Sequence, residues 1–219
     1  MRVLAIALCL VVLGAAAQSK KVTESVMISG QTSLDLDFTF ASDITFKTWD
    51  KNEVLVEVDV NIQDGEYNDI FSLSSDKGTN TISIAMDKDL WKKIEKERGD
   101  KWNNCGWTSE INYTVYAPKS MKISAYTISG DYTLTYSGVP MYLKTISGEI
   151  DVTVPEKSGL DFKAKTISGE VYTDLEVEFP YGKEGLRQVV GQNVRGRIGK
   201  GGEQTELETI SGNIYLRKG

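Results

Sequence analysis

The sequence predicts an all-β chain: a β-solenoid or β-helix-like stack of short strands with one short helical excursion. Three observations predict it. The tetrapeptide Thr-Ile-Ser-Gly occurs four times, at Thr127–Gly130, Thr145–Gly148, Thr166–Gly169 and Thr209–Gly212. The copies start 18, 21 and 43 residues apart. Apolar and polar residues alternate through the segments that follow them, which is the period of a strand whose side chains point to opposite faces.

The spacing selects the architecture. A unit of 16–21 residues is too short for a helical pair or a propeller blade. It fits one rung of a stack in which each rung buries its apolar face only against its neighbours. The longest interval holds a degenerate copy, Asn193-Val194-Arg195-Gly196-Arg197-Ile198, and an insertion, Pro180-Tyr181-Gly182-Lys183-Glu184-Gly185. Alternation puts Ile146, Gly148, Ile150 and Val152 inward and Thr145, Ser147, Glu149 and Asp151 outward. The same split puts Ile167, Gly169 and Val171 inward, and likewise Ile210, Gly212, Ile214 and Leu216. A lone glycine in a good strand marks a bend or a close backbone approach. Gly130, Gly148, Gly169, Gly196 and Gly212 are therefore assigned as the structural glycines of the rungs.

Upstream, Leu34–Phe40 alternates strictly, and Val54, Val56, Val58, Val60 and Ile62 line one face of a second strand. Thr81–Met86 makes a third, and Ile111–Tyr116 and Met121–Ala125 lead into the first copy. Ala41-Ser42-Asp43, Asp64-Gly65, Ser74-Ser75-Asp76-Lys77 and Lys77-Gly78-Thr79-Asn80 read as turns. One domain is expected over 18–219, with N-terminal strands in 23–116 and regular rungs in 121–219. The segment 87–107 breaks the β pattern. Asp89 and Gly99 bracket a short helix whose Leu90, Trp91 and Ile94 form an apolar stripe. Three of the four tryptophans fall in this excursion. It reads as a lid on the stack, or, through Trp102 and Trp107, as an aromatic binding surface.

Residues 1–17 have the form of a signal peptide: Met1-Arg2, an apolar run over Val3–Leu13, and Ala15-x-Ala17 before a mature N-terminus at Gln18. The expected location is periplasmic, cell-surface or secreted, with no later apolar stretch long enough to span a membrane. The net charge of −6 argues against nucleic acid as a partner, since phosphates would be repelled. Cys9 leaves with the leader, so Cys105 has no internal disulfide partner.

Chemistry is sparse. The chain has no histidine, which removes Ser-His-Asp and Cys-His catalysis and imidazole zinc sites. Ser74-Ser75-Asp76-Lys77 lacks the partner motifs of penicillin-recognising enzymes, and Gly196–Gly202 does not match a phosphate loop. The residues after the motif glycines, Asp131, Glu149, Glu170 and Asn213, align if the rungs stack. The glycine-aspartate calcium repeat is nevertheless missing, and Arg197 takes one place. No catalytic residue, metal or cofactor is assigned.

From about Ile111 to Gly219 the chain resembles the putative adhesin family, an exported bacterial β-solenoid domain of unknown biochemical role. The resemblance rests on Val115-Tyr116-Ala117-Pro118, on the Thr-x-Ser-Gly rungs, and on Ile198-Gly199-Lys200-Gly201-Gly202 followed by Leu207–Ile214. It extends to Ile44–Trp49 and Asp50–Val54. It implies surface binding and carries over no catalytic residues. The expected function is a non-enzymatic binding or scaffolding protein of the cell envelope or surface, with a surface glycan or an envelope protein as partner. The alternative is a carbohydrate-active enzyme on a short solenoid.

Overall fold

The computed structural model describes residues 19–99, 107–180 and 192–219. The leader (1–17), Trp102, Cys105 and all of the insertion after Pro180 lie outside the described residues. Four strands open the chain: β1 (Lys20–Met27), β2 (Ser33–Asp37), β3 (Phe40–Trp49) and β4 (Glu53–Ile62). A 3₁₀ turn at Asn68–Ile70 leads to β5 (Leu73–Lys77), β6 (Thr81–Met86) and helix α1 (Leu90–Arg98). The repeat region follows as β7 (Ser109–Pro118), β8 (Lys122–Tyr126), β9 (Ser129–Thr135), β10 (Met141–Lys144), β11 (Ile150–Val154) and β12 (Leu160–Thr166). The chain ends with β13 (Val171–Thr173), β14 (Val177–Glu178), β15 (Gln192–Ile198), β16 (Gln204–Glu208) and β17 (Ile214–Lys218).

The strands form two mixed sheets. The first runs β1-β4-β7-β3-β9-β11-β17-β13 and the second β14-β15-β12-β16-β10-β8-β2-β6-β5. Six units each give one strand to each sheet: β2/β3, β6/β7, β8/β9, β10/β11, β12/β13 and β16/β17. Between units every pairing is parallel, and all but β3–β9, which shifts register between Phe40 and Asp43, hold one register throughout. Antiparallel strands finish the sheets: β1 and β4 in the first, and β5, β15 and β14 in the second.

The order of stacking is not the order of the sequence. The last unit, β16/β17, inserts between β10/β11 and β12/β13, so the motif at 209–212 lies between those at 145–148 and 166–169. The first unit, β2/β3, likewise sits between β6/β7 and β8/β9. The degenerate copy at 193–198 forms no unit. It is β15, antiparallel to β12, with Gly196 opposite Phe162.

The inner faces of both sheets feed one apolar core. In the second sheet Ile84, Leu36, Ala125, Leu143, Leu207 and Ala164 stand in register, strand by strand. Tyr113, Ile44, Tyr132, Ile150, Ile214 and Val171 do so in the first. Each such leucine or isoleucine contributes roughly 1.5–3 kcal/mol of burial. Tyr113 stacks on Phe38 at 4.0 Å, and Tyr132 donates its hydroxyl to the Lys144 carbonyl at 3.2 Å. Burial pushes both phenols well above their usual range.

Several sequence expectations need correction. The motif threonines point inward and are buried, whereas Ile167 and Ile210 are 47% and 41% exposed. The reason is a change of phase. Met141, Leu143 and Thr145 face inward before the glycine, and Ile150, Val152 and Val154 after it. The motif is therefore the corner between the sheets, where alternation switches from odd to even positions. Ala41-Ser42-Asp43 is no turn: β3 runs through it with a register irregularity between Phe40 and Asp43. Ser74–Lys77 is a strand, the edge β5, whose polar residues resemble a loop. Asp89 precedes α1 without capping it through its side chain, while Gly99 ends the helix with a φ of +63°.

At the corner the units touch backbone to backbone. A β-carbon on Gly148 would lie 2.2 Å from the Gly130 carbonyl oxygen, one on Gly212 2.0 Å from that of Gly148, and one on Gly169 1.9 Å from that of Gly212. We expect Gly148→Ala and Gly212→Ala to cost more than ~1 kcal/mol each. Ser147→Ala, at an exposed neighbour, should stay within ~0.5 kcal/mol. Chemical denaturation checks both; alanine variants as stable as the parent would remove the close-approach argument.

Candidate functional site

The helical excursion builds an aromatic cluster against the β-stack. Leu90 and Ile94 of α1 are buried, which holds the helix on the core and leaves Trp91 half-buried at its side. Trp91 meets Phe40 edge-on at 5.3 Å and Trp107 edge-on at 5.5 Å. Tyr67 stacks on Trp107 at 5.9 Å, and the Arg98 guanidinium lies over the same indole at 5.1 Å. Such aromatic pairs contribute about 0.5–1.5 kcal/mol each beyond their area. Trp107 remains 38% exposed, so the cluster is both a brace between α1 and the chain near Tyr67 and an aromatic surface. The structure brings Trp91 and Trp107 together; Trp102 falls outside the described residues.

The residues after the motif glycines do align, in the spatial order Asp131, Glu149, Asn213, Glu170. They act on the backbone: the Asp131 carboxylate accepts the Glu149 N–H at 2.7 Å, and the Asn213 side-chain oxygen accepts that of Glu170 at 3.0 Å. Asn213 also donates to Glu149 Oε1 at 3.0 Å. Along the same row Asp43 lies opposite Asp131 and Asn112. Desolvation, then the charges of Asp131 and Glu110, raise its carboxyl above the usual range. Among the described residues no three His, Cys, Asp or Glu side chains converge as metal ligands. The row is a set of polar rungs that satisfies backbone donors between units.

Across the antiparallel β12–β15 pair, Arg197 Nε donates to Asp161 at 2.8 Å. That hydrogen bond is the main reason the Asp161 carboxyl is held below its usual range, and the Gly202 N–H adds to it. Gly196 faces packing of another kind from the motif glycines: a β-carbon there would meet Val177 and Phe162 side chains at 2.5 and 2.8 Å. One surface was unmarked in the sequence. Outward-facing Asp35, Ser124 and Tyr142 line a groove of about 590 Å³ on the second sheet. Each belongs to a different unit and none falls in the repeated tetrapeptide, so no motif signals them.

Two mixed sheets stacked from repeated two-strand units, with one short helix braced on the edge, define a β-structured class of repeat protein. Residues 21–217 match the Toastrack DUF4097 family, and the chain belongs to that family. Among solved structures it is similar to a putative cell adhesion protein from Clostridium sporogenes. That match is 10% identical with a TM-score of 0.58, over 92% of this chain and 100% of the other. A putative adhesin from Bacteroides fragilis matches at 8% identity and a TM-score of 0.28, over 92% and 98% of the two chains. A putative adhesin from Parabacteroides merdae does so at 9% and 0.24, over 91% and 96%. At 10% identity the first of these matches speaks to fold alone. No curated protein matches the chain.

Two outcomes follow from this geometry. Trp91→Ala should destabilise by about 2–3 kcal/mol, less than the ~3–5 kcal/mol of a fully buried tryptophan, and Trp107→Ala by about 1 kcal/mol. A Trp91→Ala protein that melts with the parent would remove the bracing role. The second concerns pH. The Asp161 carboxyl has a lower pKa folded than its ordinary 3.8, so its stabilisation is present above that value and lost as pH falls through the folded pKa. Asp161→Asn should lower the melting temperature at pH 7, with the gap to the parent closing as pH drops below 3.8. A gap that stays constant with pH would show that the pair adds nothing.

Proposed function

We propose that this chain is an exported, non-enzymatic binding or scaffolding protein of the cell envelope or surface, with its repeat units forming a β-helix-like scaffold. The observation that carries this reading is the register of the units. Parallel pairing sets the outward side chains of successive units in straight rows, a regular surface suited to binding an extended partner. Three further observations support it. A solved structure with a similar fold is named as a putative cell adhesion protein. The first seventeen residues have the form of a secretion signal, and no described helix is long and apolar enough to cross a membrane. Trp107, exposed at the edge of its aromatic cluster, is the contact point we assign, with Trp102 beside it in the sequence. A surface glycan or an envelope protein is the partner class.

Two measurements test this. The full chain, expressed in a bacterial host and fractionated, should be recovered outside the cytoplasm beginning at Gln18. Cytoplasmic protein retaining Met1 would end the export reading. Fluorescently labelled protein beginning at Gln18 should be retained on intact cells or isolated envelopes, and Trp107→Ala, assayed well below its melting temperature, should be retained less. Folded protein that washes off both surfaces would end the binding reading.

A further inference from the structure

The groove of about 590 Å³ on the outer face of the second sheet lies across the first residues of β2, β8, β10 and β16. This is the opposite end of β2 from Phe40 and the tryptophan cluster. Its shape follows from the outward residues. Ser83, Asp35, Ser124, Tyr142, Glu206 and Lys163 stand in one registered row across β6, β2, β8, β10, β16 and β12. The first three are short and the last three long, so the face steps up at Tyr142.

The chemistry of this row is selective. Tyr142 is 38% exposed and gives the groove an aromatic wall. Asp35 is exposed, and no hydrogen bond or ion pair to a described residue occupies its carboxylate, which leaves two acceptor oxygens over a floor of serine hydroxyls. The charges at the rim cancel in pairs: Lys122 with Glu203 at 3.1 Å and Lys163 with Glu206 at 2.8 Å. Gln204 adds an uncharged amide. A strand spacing of ~4.8 Å puts Asp35 and Tyr142 about 10 Å apart, two strands over, a distance that a short chain of sugar rings bridges.

We propose that this groove is a binding site for a neutral oligosaccharide. An aromatic wall accepts the C–H face of a sugar ring, a free carboxylate accepts two neighbouring hydroxyls, and hydroxyls and an amide complete the contacts. The unpaired carboxylate disfavours anionic ligands, and the cancelled rim charges give no field to attract them. Pockets of roughly 300–1,000 Å³ suit small ligands of this size. The inference rests on the reading of the chain as a binding protein and adds a site and a ligand class to it.

The test uses protein beginning at Gln18 on a printed array of neutral β-glucan, chitin, mannan and galactan oligosaccharides, with acidic glycans as a comparison. Calorimetry then measures the hits. At least one neutral class should be retained. Asp35→Asn and Tyr142→Ala should each weaken binding tenfold or more, and Ser124→Trp, which fills the groove from an outward position, should abolish it. Asp35→Asn is nearly isosteric, so its effect stands even if a bulkier variant folds poorly. The proposal is overturned if no neutral glycan is retained, if only acidic glycans are, or if the hits survive Ser124→Trp. Loss of binding with Trp107→Ala alone would assign the glycan to the tryptophan cluster and overturn it too. Glycan retention without attachment to cells would instead count against the envelope role and leave the groove standing.

Discussion

In each of three successive corners, the carbonyl oxygen of one motif glycine occupies the space that a β-carbon would take in the next. No other residue allows the backbones to come so close. The approach is what lets Ser147, Ser211 and Ser168 donate their N–H groups to the carbonyls of Ile128, Ile146 and Ile210 at 2.7, 2.8 and 2.7 Å. These bonds fix the units in register, and the register then aligns everything else. A slip of one residue would carry the outward Tyr142 and Glu206 into the core and the buried Leu143 and Leu207 to solvent. Gly212 shows the constraint from both sides, lying against Gly148 on one and Gly169 on the other.

At two of the four corners the inward threonine has a hydrogen-bonding role, while the Thr127 and Thr145 hydroxyls are buried with no partner among the described residues. Gly148 and Gly212 are partly buried at the corner, and a buried carbonyl without a donor costs about 1–3 kcal/mol. The hydroxyls of Thr166 and Thr209 supply that donor to the Gly212 and Gly148 carbonyls at 2.9 and 3.0 Å. Valine would fill the space and leave those oxygens bare. Isoleucine is displaced outward, where Ile128 and Ile146 are half-buried and Ile167 and Ile210 more open. Stacked along the corner, these side chains shield one another in part, which makes their exposure tolerable.

Four identical tetrapeptides and the alternation after them make the strands and the repeat legible in the sequence. Their spatial order was not legible, and the reason is physical. Corners with the same sequence are interchangeable, so nothing in Thr209–Gly212 says that it fits between the second and third copies. The inner face of the corner was misjudged because strict alternation was carried through a bend that changes its phase. Gly196 shares the motif's local pattern yet serves to clear Phe162 and Val177 across an antiparallel pair. β5 escaped notice because a polar edge strand is composed like a loop. The helix is legible from its apolar stripe Leu90, Trp91 and Ile94, which sets Trp91 against Phe40. The groove carried no such signal, since outward positions between the motifs have neither period nor partner in sequence.

That freedom of the outward positions has a structural cause. Because inner residues and glycine corners fix the register, outer residues of each unit can change without disturbing the stack. The row from Ser83 to Lys163 uses this freedom differently along its length. At its far end Glu206 and Lys163 pair across neighbouring strands, a contact that favours the correct pairing and protects the face. At its near end three adjacent strands carry only Ser83, Asp35 and Ser124, and the Asp35 carboxylate has no hydrogen bond or ion pair to a described residue. A face selected only for solubility and pairing would be expected to place a cation opposite Asp35, as Arg217 stands by Asp151 on the other sheet at 2.7 Å. The β8 position beside Asp35 holds Ser124 instead, beneath the exposed ring of Tyr142. Small residues, an open carboxylate and an aromatic edge therefore meet where the scaffold is indifferent to their identity, and a site for a ligand accounts for that combination.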